Sequence, residues 1–149
     1  MSDDHLAQVN VARLLAPIES PEIAGFVAAL DPVNARADRA AGFVWRLQTE
    51  AGNATAVHAF DDPLVIVNLS VWESLEALEA FAYGDQGHRA VLRRRREWFE
   101  RHLESHTALW WIPAGTTPTV TEAVDRLEHL RAHGPTRRAF TFRDRFSAW

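Results

Sequence analysis

At 149 residues, 47% apolar and 24% charged, the chain has the make-up of one soluble globular domain with a sizeable core. A net charge of −4 argues against a general nucleic-acid binder, and no apolar run approaches the roughly 20 residues of a membrane-spanning helix. The absence of cysteine excludes disulfides, thiolate metal sites and cysteine nucleophiles, and the absence of lysine excludes Schiff-base chemistry on a lysine side chain.

The opening MSDDHLAQV carries no signal-peptide pattern, so a cytoplasmic protein is expected. Residues 5–14 alternate as a strand, with Ala7, Val9 and Val11 opposite Leu6, Gln8 and Asn10. Ser20-Pro21 starts a helix carrying Ile23, Phe26, Val27 and Leu30 on one stripe. Asp31-Pro32 is expected to interrupt it before it resumes through about Ala40. Residues 43–48 form a second strand, with Phe43, Trp45 and Leu47 opposite Val44, Arg46 and Gln48. A turn at 51–54 leads into a returning strand at 55–60. The clearest strand is 64–72, with Val65, Val67, Leu69 and Val71 opposite Ile66, Asn68, Ser70 and Trp72.

Ser74 caps a helix that buries Leu75, Leu78 and Phe81. A Gly-Asp-Gln-Gly interruption at 84–87 separates it from a second helical stretch over 88–103. Residues 106–115 read as a strand apolar on both faces. Thr119 and Glu122 make a capping box for a helix that stops at Gly134-Pro135, and 139–146 reads as an edge strand. With no repeat or linker, the chain is one domain over 1–149: a β-α-β-β-α-β core (5–115) and a helix-strand extension (116–149). This order predicts an α+β fold, a ferredoxin-like antiparallel sheet with helices on one face.

Helices on such a sheet are expected to take the apolar sides of the strands. The opposite face then carries Gln8, Asn10, Arg46, Gln48, Asn68 and Ser70, with Ile66 and Trp72 among them. One of the adjacent Trp110 and Trp111 must also place its indole there, whereas Trp45 belongs to the core side. Amides, an arginine and indoles on one face suit a covered pocket or a partner sheet better than open water.

The stretch RRRREWF (93–99) is the strongest local anomaly. At roughly 100° per residue, one unbroken helix places Val91, Leu92, Trp98, Phe99 and Leu103 on a single apolar arc. Arg95 falls inside that arc with His88 and His102, while Arg93 points outward and Arg94 and Arg96 flank it. Arg93–Glu97, Arg96–Glu100 and Glu97–Arg101 are spaced for ion pairs, so most of the run is a solvated surface. An inward Arg95 needs a carboxylate or a cavity. His88 and Arg95 then either present a proton-transfer group and an anion clamp to one pocket, or are a satisfied core histidine and an internally paired arginine.

His129 and His133 have the spacing of two helical metal ligands, but no third ligand is evident, and no metal site is assigned. His102 and His106 flank a helix end without a specific pattern. The sequence contains no GxGxxG, Walker A or GxSxG motif, which argues against nucleotide, dinucleotide and α/β-hydrolase chemistry.

The stretch LVIVNLSVWESLEALEAFAYGDQGHRAVLRRRREWF resembles the dimeric α+β barrel superfamily, which includes the antibiotic-biosynthesis monooxygenases. The shared pattern is a strand ending in a "WxS" step (Trp72, Ser74), a helix, and a histidine opening the next helical segment (His88). LWWIPAGTTPTVTEAVDRLEHL and HGPTRRAFTFR resemble an uncharacterised bacterial family within that group. The resemblance implies two sheets paired across a two-fold axis, a homodimer, with a pocket in each subunit between sheet and helices. The GDQG break and the C-terminal extension depart from the simplest pattern and are expected to remodel the pocket mouth.

The leading expectation is a cofactor-independent small-molecule enzyme acting on an aromatic or polycyclic metabolite, of the kind found in secondary metabolism. His88 serves as general acid or base, and Arg95 holds an enolate, phenolate or carboxylate. Asn68 and Ser70 orient the substrate, which stacks on Trp72 and on Trp110 or Trp111; Arg46 and Asn10 complete its surroundings. Monooxygenase, cyclase and isomerase chemistry all fit. A non-catalytic ligand-binding or stress-associated dimer is the alternative, and a haem-binding protein with an axial histidine is a third; no nucleic acid or membrane partner is expected.

Overall fold

The structure, a computed structural model, describes residues 3–48, 62–101 and 106–148. Four strands, β1 (Asp4–Arg13), β2 (Phe43–Arg46), β3 (Val65–Trp72) and β4 (Thr107–Pro113), form a sheet in the order β2-β3-β1-β4. Every neighbouring pair is antiparallel. The strand expected at 55–60 lies outside the described residues.

Among the described residues five helices accompany the sheet: α1 (Ala24–Asp38), α2 (Leu75–Gly84), α3 (Gln86–Arg93), α4 (Arg95–Trp98) and α5 (Val120–His133). A short 3-10 turn, Pro21–Ile23, leads into α1. The interruption expected at Pro32 does not occur, and α1 runs through it. A proline at this position deprives only the carbonyl of Ala28 of its helical partner. Both residues are exposed, so water takes that bond. Ser74 caps α2 as expected, its hydroxyl accepting from Ala77 N–H at 3.1 Å.

The single helix expected over 88–103 is broken at Arg94, whose N–H turns back to the carbonyl of Val91. Phe99 is already extended. The cause lies in Trp98, buried with Leu14, Ile23 and Phe26 and lying close against Gly25. Burying a side chain of this size outweighs the lost helical hydrogen bonds. The expected i,i+4 ion pairs give way with it: Glu97 pairs with Arg94, and Glu100 with Arg13.

The strands alternate as expected, but the helices stand over the other face. α5 packs Ala123, Leu127 and Leu130 on the uniformly apolar face, against residues such as Val9, Leu69 and Trp110. Helices α1, α2 and α3 cover the polar-indole face instead. A bulge between Phe43 and Trp45 also moves Phe43 off the Trp45 side, so that Phe43 meets Trp72 edge-on at 5.4 Å. The last segment is not a strand: it makes one bridge, Phe140 to Leu109, then curls over the sheet end. Gly134, at φ 74°, ends α5 in a conformation glycine takes without strain. The chain then bends tightly at Thr136–Ala139, and burying Phe140 and Phe142 favours the curl over a longer ladder.

Candidate active site

Between the polar sheet face and helices α1–α3 lies a cavity of about 620 Å³, within the usual range for a small-molecule site. Its floor is a hydrogen-bonded row across β1 and β3. Gln8 sits beside Ser70, and Asn10 beside Asn68, in the strand register. The Gln8 side-chain amide donates to Asn68 Oδ1 at 2.5 Å and to Ser70 Oγ at 2.8 Å. Trp72 Nε1–H donates to the same Ser70 oxygen at 2.9 Å. Both Gln8 amide hydrogens and both Ser70 lone pairs are thereby engaged. Near Asn68 and Ser70 the floor leaves a ligand two kinds of donor, the Ser70 hydroxyl proton and the Asn68 amide hydrogens, beside one acceptor, Gln8 Oε1.

Aromatic rings close one end of the cavity. Phe81 stacks on Trp72 with centroids 5.5 Å apart, and the His88 ring lies 5.2 Å beyond Phe81. Phe142, from the C-terminal segment, also lines this end and meets Tyr83 at 5.4 Å.

His88 sits in the first turn of α3, and the local sequence holds it there. Asp85 terminates α2 and caps α3, accepting the His88 backbone N–H at 2.9 Å. Arg36, reaching over from α1, donates to both Asp85 oxygens at 2.9 and 3.0 Å. Gly87 makes this possible, because a β-carbon there would stand 2.8 Å from the Arg36 side chain. Burial works against the Asp85 carboxylate, but the His88 N–H and the Arg36 guanidinium outweigh it and hold its pKa below the ordinary value.

The His88 ring has a defined proton position. Its Nδ1 lies 2.8 Å from the Ala82 carbonyl, which can only accept, so Nδ1 carries the hydrogen. Burial pushes the imidazole pKa below its usual value, against the raising pull of that carbonyl and of Asp85. The ring is therefore neutral at pH 7, with its Nε2 lone pair making no hydrogen bond among the described residues. That is the state required of a general base.

Of the residues singled out from sequence, His88, Asn68, Ser70 and Trp72 line this cavity together. Asn10, Arg46 and Arg95 line it as well. Arg46 is held by Asp38 at 2.8 Å. Arg95 is not the inward residue that an unbroken helix implies: it is exposed, and its Nη1 donates to the Leu92 carbonyl at 2.6 Å. The break at Arg94 rotates it to the cavity rim.

Trp110 and Trp111 stand apart from the cavity lining. Trp110 is buried on the opposite face, donating to Glu122 at 2.9 Å, so the capping-box glutamate serves an indole while Thr119 caps α5. Trp111 shares the polar face but donates to the Phe146 carbonyl at 2.8 Å, packed beneath the C-terminal segment. His129 and His133 lie on α5 with ring centroids 4.5 Å apart, and His129 Nε2 is 3.2 Å from Thr136 Oγ1.

Sequence reasoning missed Asp85 and Arg36 and left Gln8 out of the site. The first had a signal: Asp85-Gln-Gly-His88 is a helix-cap spacing that ends on the histidine. Arg36 had none, since only the packing of α1 against α3 reveals it.

A four-stranded antiparallel sheet in this order, with helices enclosing a cavity on one face, defines a ferredoxin-like α+β domain. The chain belongs to the family described as "Domain of unknown function (DUF3291)", whose model matches residues 5–149. Among solved structures it is similar to protein SO0527 from Shewanella oneidensis, at TM-score 0.52 and 12% identity over 74% of this chain and 93% of that one. It is similar to PA3566 from Pseudomonas aeruginosa at TM-score 0.51 and 12% identity, covering 78% and 99%. SnoaB, a cofactor-independent oxygenase from Streptomyces nogalater, reaches TM-score 0.46 and 18% identity, covering 76% and 96%. The first two likenesses are of fold alone, and the third carries no weight for the reaction. No curated protein matches the sequence significantly.

Proposed function

We propose that the chain is a cofactor-independent enzyme that performs acid–base chemistry on an aromatic or polycyclic metabolite with an acidic C–H or O–H bond. The observation that carries this reading is the His88 ring: neutral, hydrogen-bonded to Ala82 through Nδ1, with Nε2 unpartnered among the described residues, on a cavity whose floor offers Ser70 and Asn68 donors. The substrate ring rests at the aromatic end of the cavity, beside Phe81 and His88. Nε2 takes the proton, leaving an imidazolium and an enolate or phenolate whose oxygen accepts from Ser70 Oγ–H and Asn68 Nδ2–H. Isomerisation and cyclisation return the proton from His88, whereas in an oxygenase the carbanion forms a C–O bond to dioxygen, and the peroxide takes the His88 proton and loses water to leave a carbonyl.

Arg46 and Asn10 shape the floor, and Arg95 stands at the rim, away from the reacting atoms. A homodimer belongs to the same reading. It is supported by the apolar face beyond α5, where Trp45, Leu47 and Val65 are only partly buried and suit a second sheet.

The test is turnover on a panel of phenols, quinols and β-dicarbonyl compounds. With a substrate found, His88→Ala is expected to lower kcat by about 100-fold or more. The wild-type rate should stay level from neutral pH down to below the ordinary histidine range, and fall only as the depressed pKa is crossed. Full turnover by the alanine variant contradicts the role.

A further inference from the structure

The cavity is polarised along the strands. Trp72 and Ile66 lie six residues apart on β3, which separates the two ends by roughly 20 Å. The Trp72 end holds the aromatic rings and His88. The Ile66 end is built differently, by the chain that follows the break at Arg94. Glu100 N–H bonds the Arg13 carbonyl, and Phe99 bridges to Leu14, so the chain beyond α4 lies against the C-terminal end of β1.

That second end carries an excess of positive charge. Arg95, Arg96 and Arg101 all line the cavity and are exposed, and none makes an ion pair among the described residues. Among the described residues the one acid lining this end, Glu100, is occupied by Arg13. Elsewhere in the molecule the arginines that reach a carboxylate have taken one: Arg36 with Asp85, Arg46 with Asp38, Arg94 with Glu97. Between rim and rings the walls are apolar, with Leu30, Val33, Val91 and Leu92 among them.

We infer that the ligand is an amphipathic anion, with its ring at the Trp72–His88 end and a carboxylate, or a group of like charge, at the Arg95–Arg96–Arg101 rim. Guanidinium groups match such oxyanions with paired hydrogen bonds, and the enclosing low-dielectric walls strengthen the attraction. This rests on the reading of the cavity as a ligand site and adds to it the class of ligand. It also assigns Arg95 a binding role at the far end from the chemistry.

Two fluorescent probes test it without a known substrate: 8-anilinonaphthalene-1-sulfonate, an anion, and N-phenyl-1-naphthylamine, its uncharged relative. Both are titrated into the wild type, into the double variant Arg95→Gln/Arg96→Gln, and into Val33→Trp, which fills the cavity. The sulfonate is expected to bind the double variant about tenfold more weakly, and to weaken with salt in the wild type. The neutral probe should change by less than about twofold between those two proteins, and Val33→Trp should lose both. If the sulfonate binds wild type and double variant alike while Val33→Trp loses both probes, the anion rim is wrong but the cavity remains a ligand site. If neither probe binds the wild type, or Val33→Trp still binds both, the inference falls together with the ligand-site reading beneath it.

Discussion

The two faces of one sheet, built by alternate residues of the same strands, have opposite fates. On the α5 face, Val9, Leu69 and Trp110 meet Ala123, Leu127 and Leu130, and all of these are buried in a filled core. On the other face Gln8, Asn68 and Ser70 look across a cavity toward α1 and α3. The difference is one of polar satisfaction. Apolar side chains gain by contact, so a helix settles directly on them. Amides and hydroxyls need partners, and here they bond one another and leave donors toward open volume. One face is filled, the other hollow.

Substitutions can break or sharpen that contrast. The largest stability effect is expected on the filled face, where Leu127→Ala should cost about 3 kcal/mol in chemical denaturation. Asn68→Ala, on the hollow face, should cost about 1 kcal/mol or less, because water in the cavity replaces the bond from Gln8. Equal costs would mean that the two faces are packed alike. Asp85→Ala is expected to lie between these, near 1 to 2 kcal/mol, through loss of the α3 cap and of the Arg36 pair. Asp85→Asn should recover most of it by keeping the cap. Failure of the asparagine to recover more than a few tenths of a kcal/mol would show that charge, not capping, fixes α3.

Much of the fold was legible because local signals agreed with the tertiary outcome. Ser74 and Thr119 cap the helices that their positions predict, and the strand alternation holds on β1, β3 and β4. The choice of face was not legible, since alternation tells which residues share a side but not which helix arrives there. The bulge that turns Phe43 toward Trp72 has no mark in the sequence around it. Arg95 was misplaced for a related reason: the wheel assumes an unbroken helix, and the long-range burial of Trp98 breaks it. Of two adjacent tryptophans one did fall on the polar face, but the C-terminal segment, expected as a strand, curls over Trp111 instead. His88 could be read because its surroundings are local, set by the Asp85 cap and the Ala82 carbonyl.

The central claim is the protonation state of His88, and nitrogen-detected NMR of the imidazole rings reads it directly. A spectrum of the ¹⁵N-histidine-labelled protein at pH 7, assigned by His88→Gln, should show a neutral ring with the hydrogen on Nδ1 and a bare Nε2. On acidification this ring should take up its proton at a pH below the ordinary histidine value. A ring already charged at pH 7, or one carrying its hydrogen on Nε2, would contradict the account.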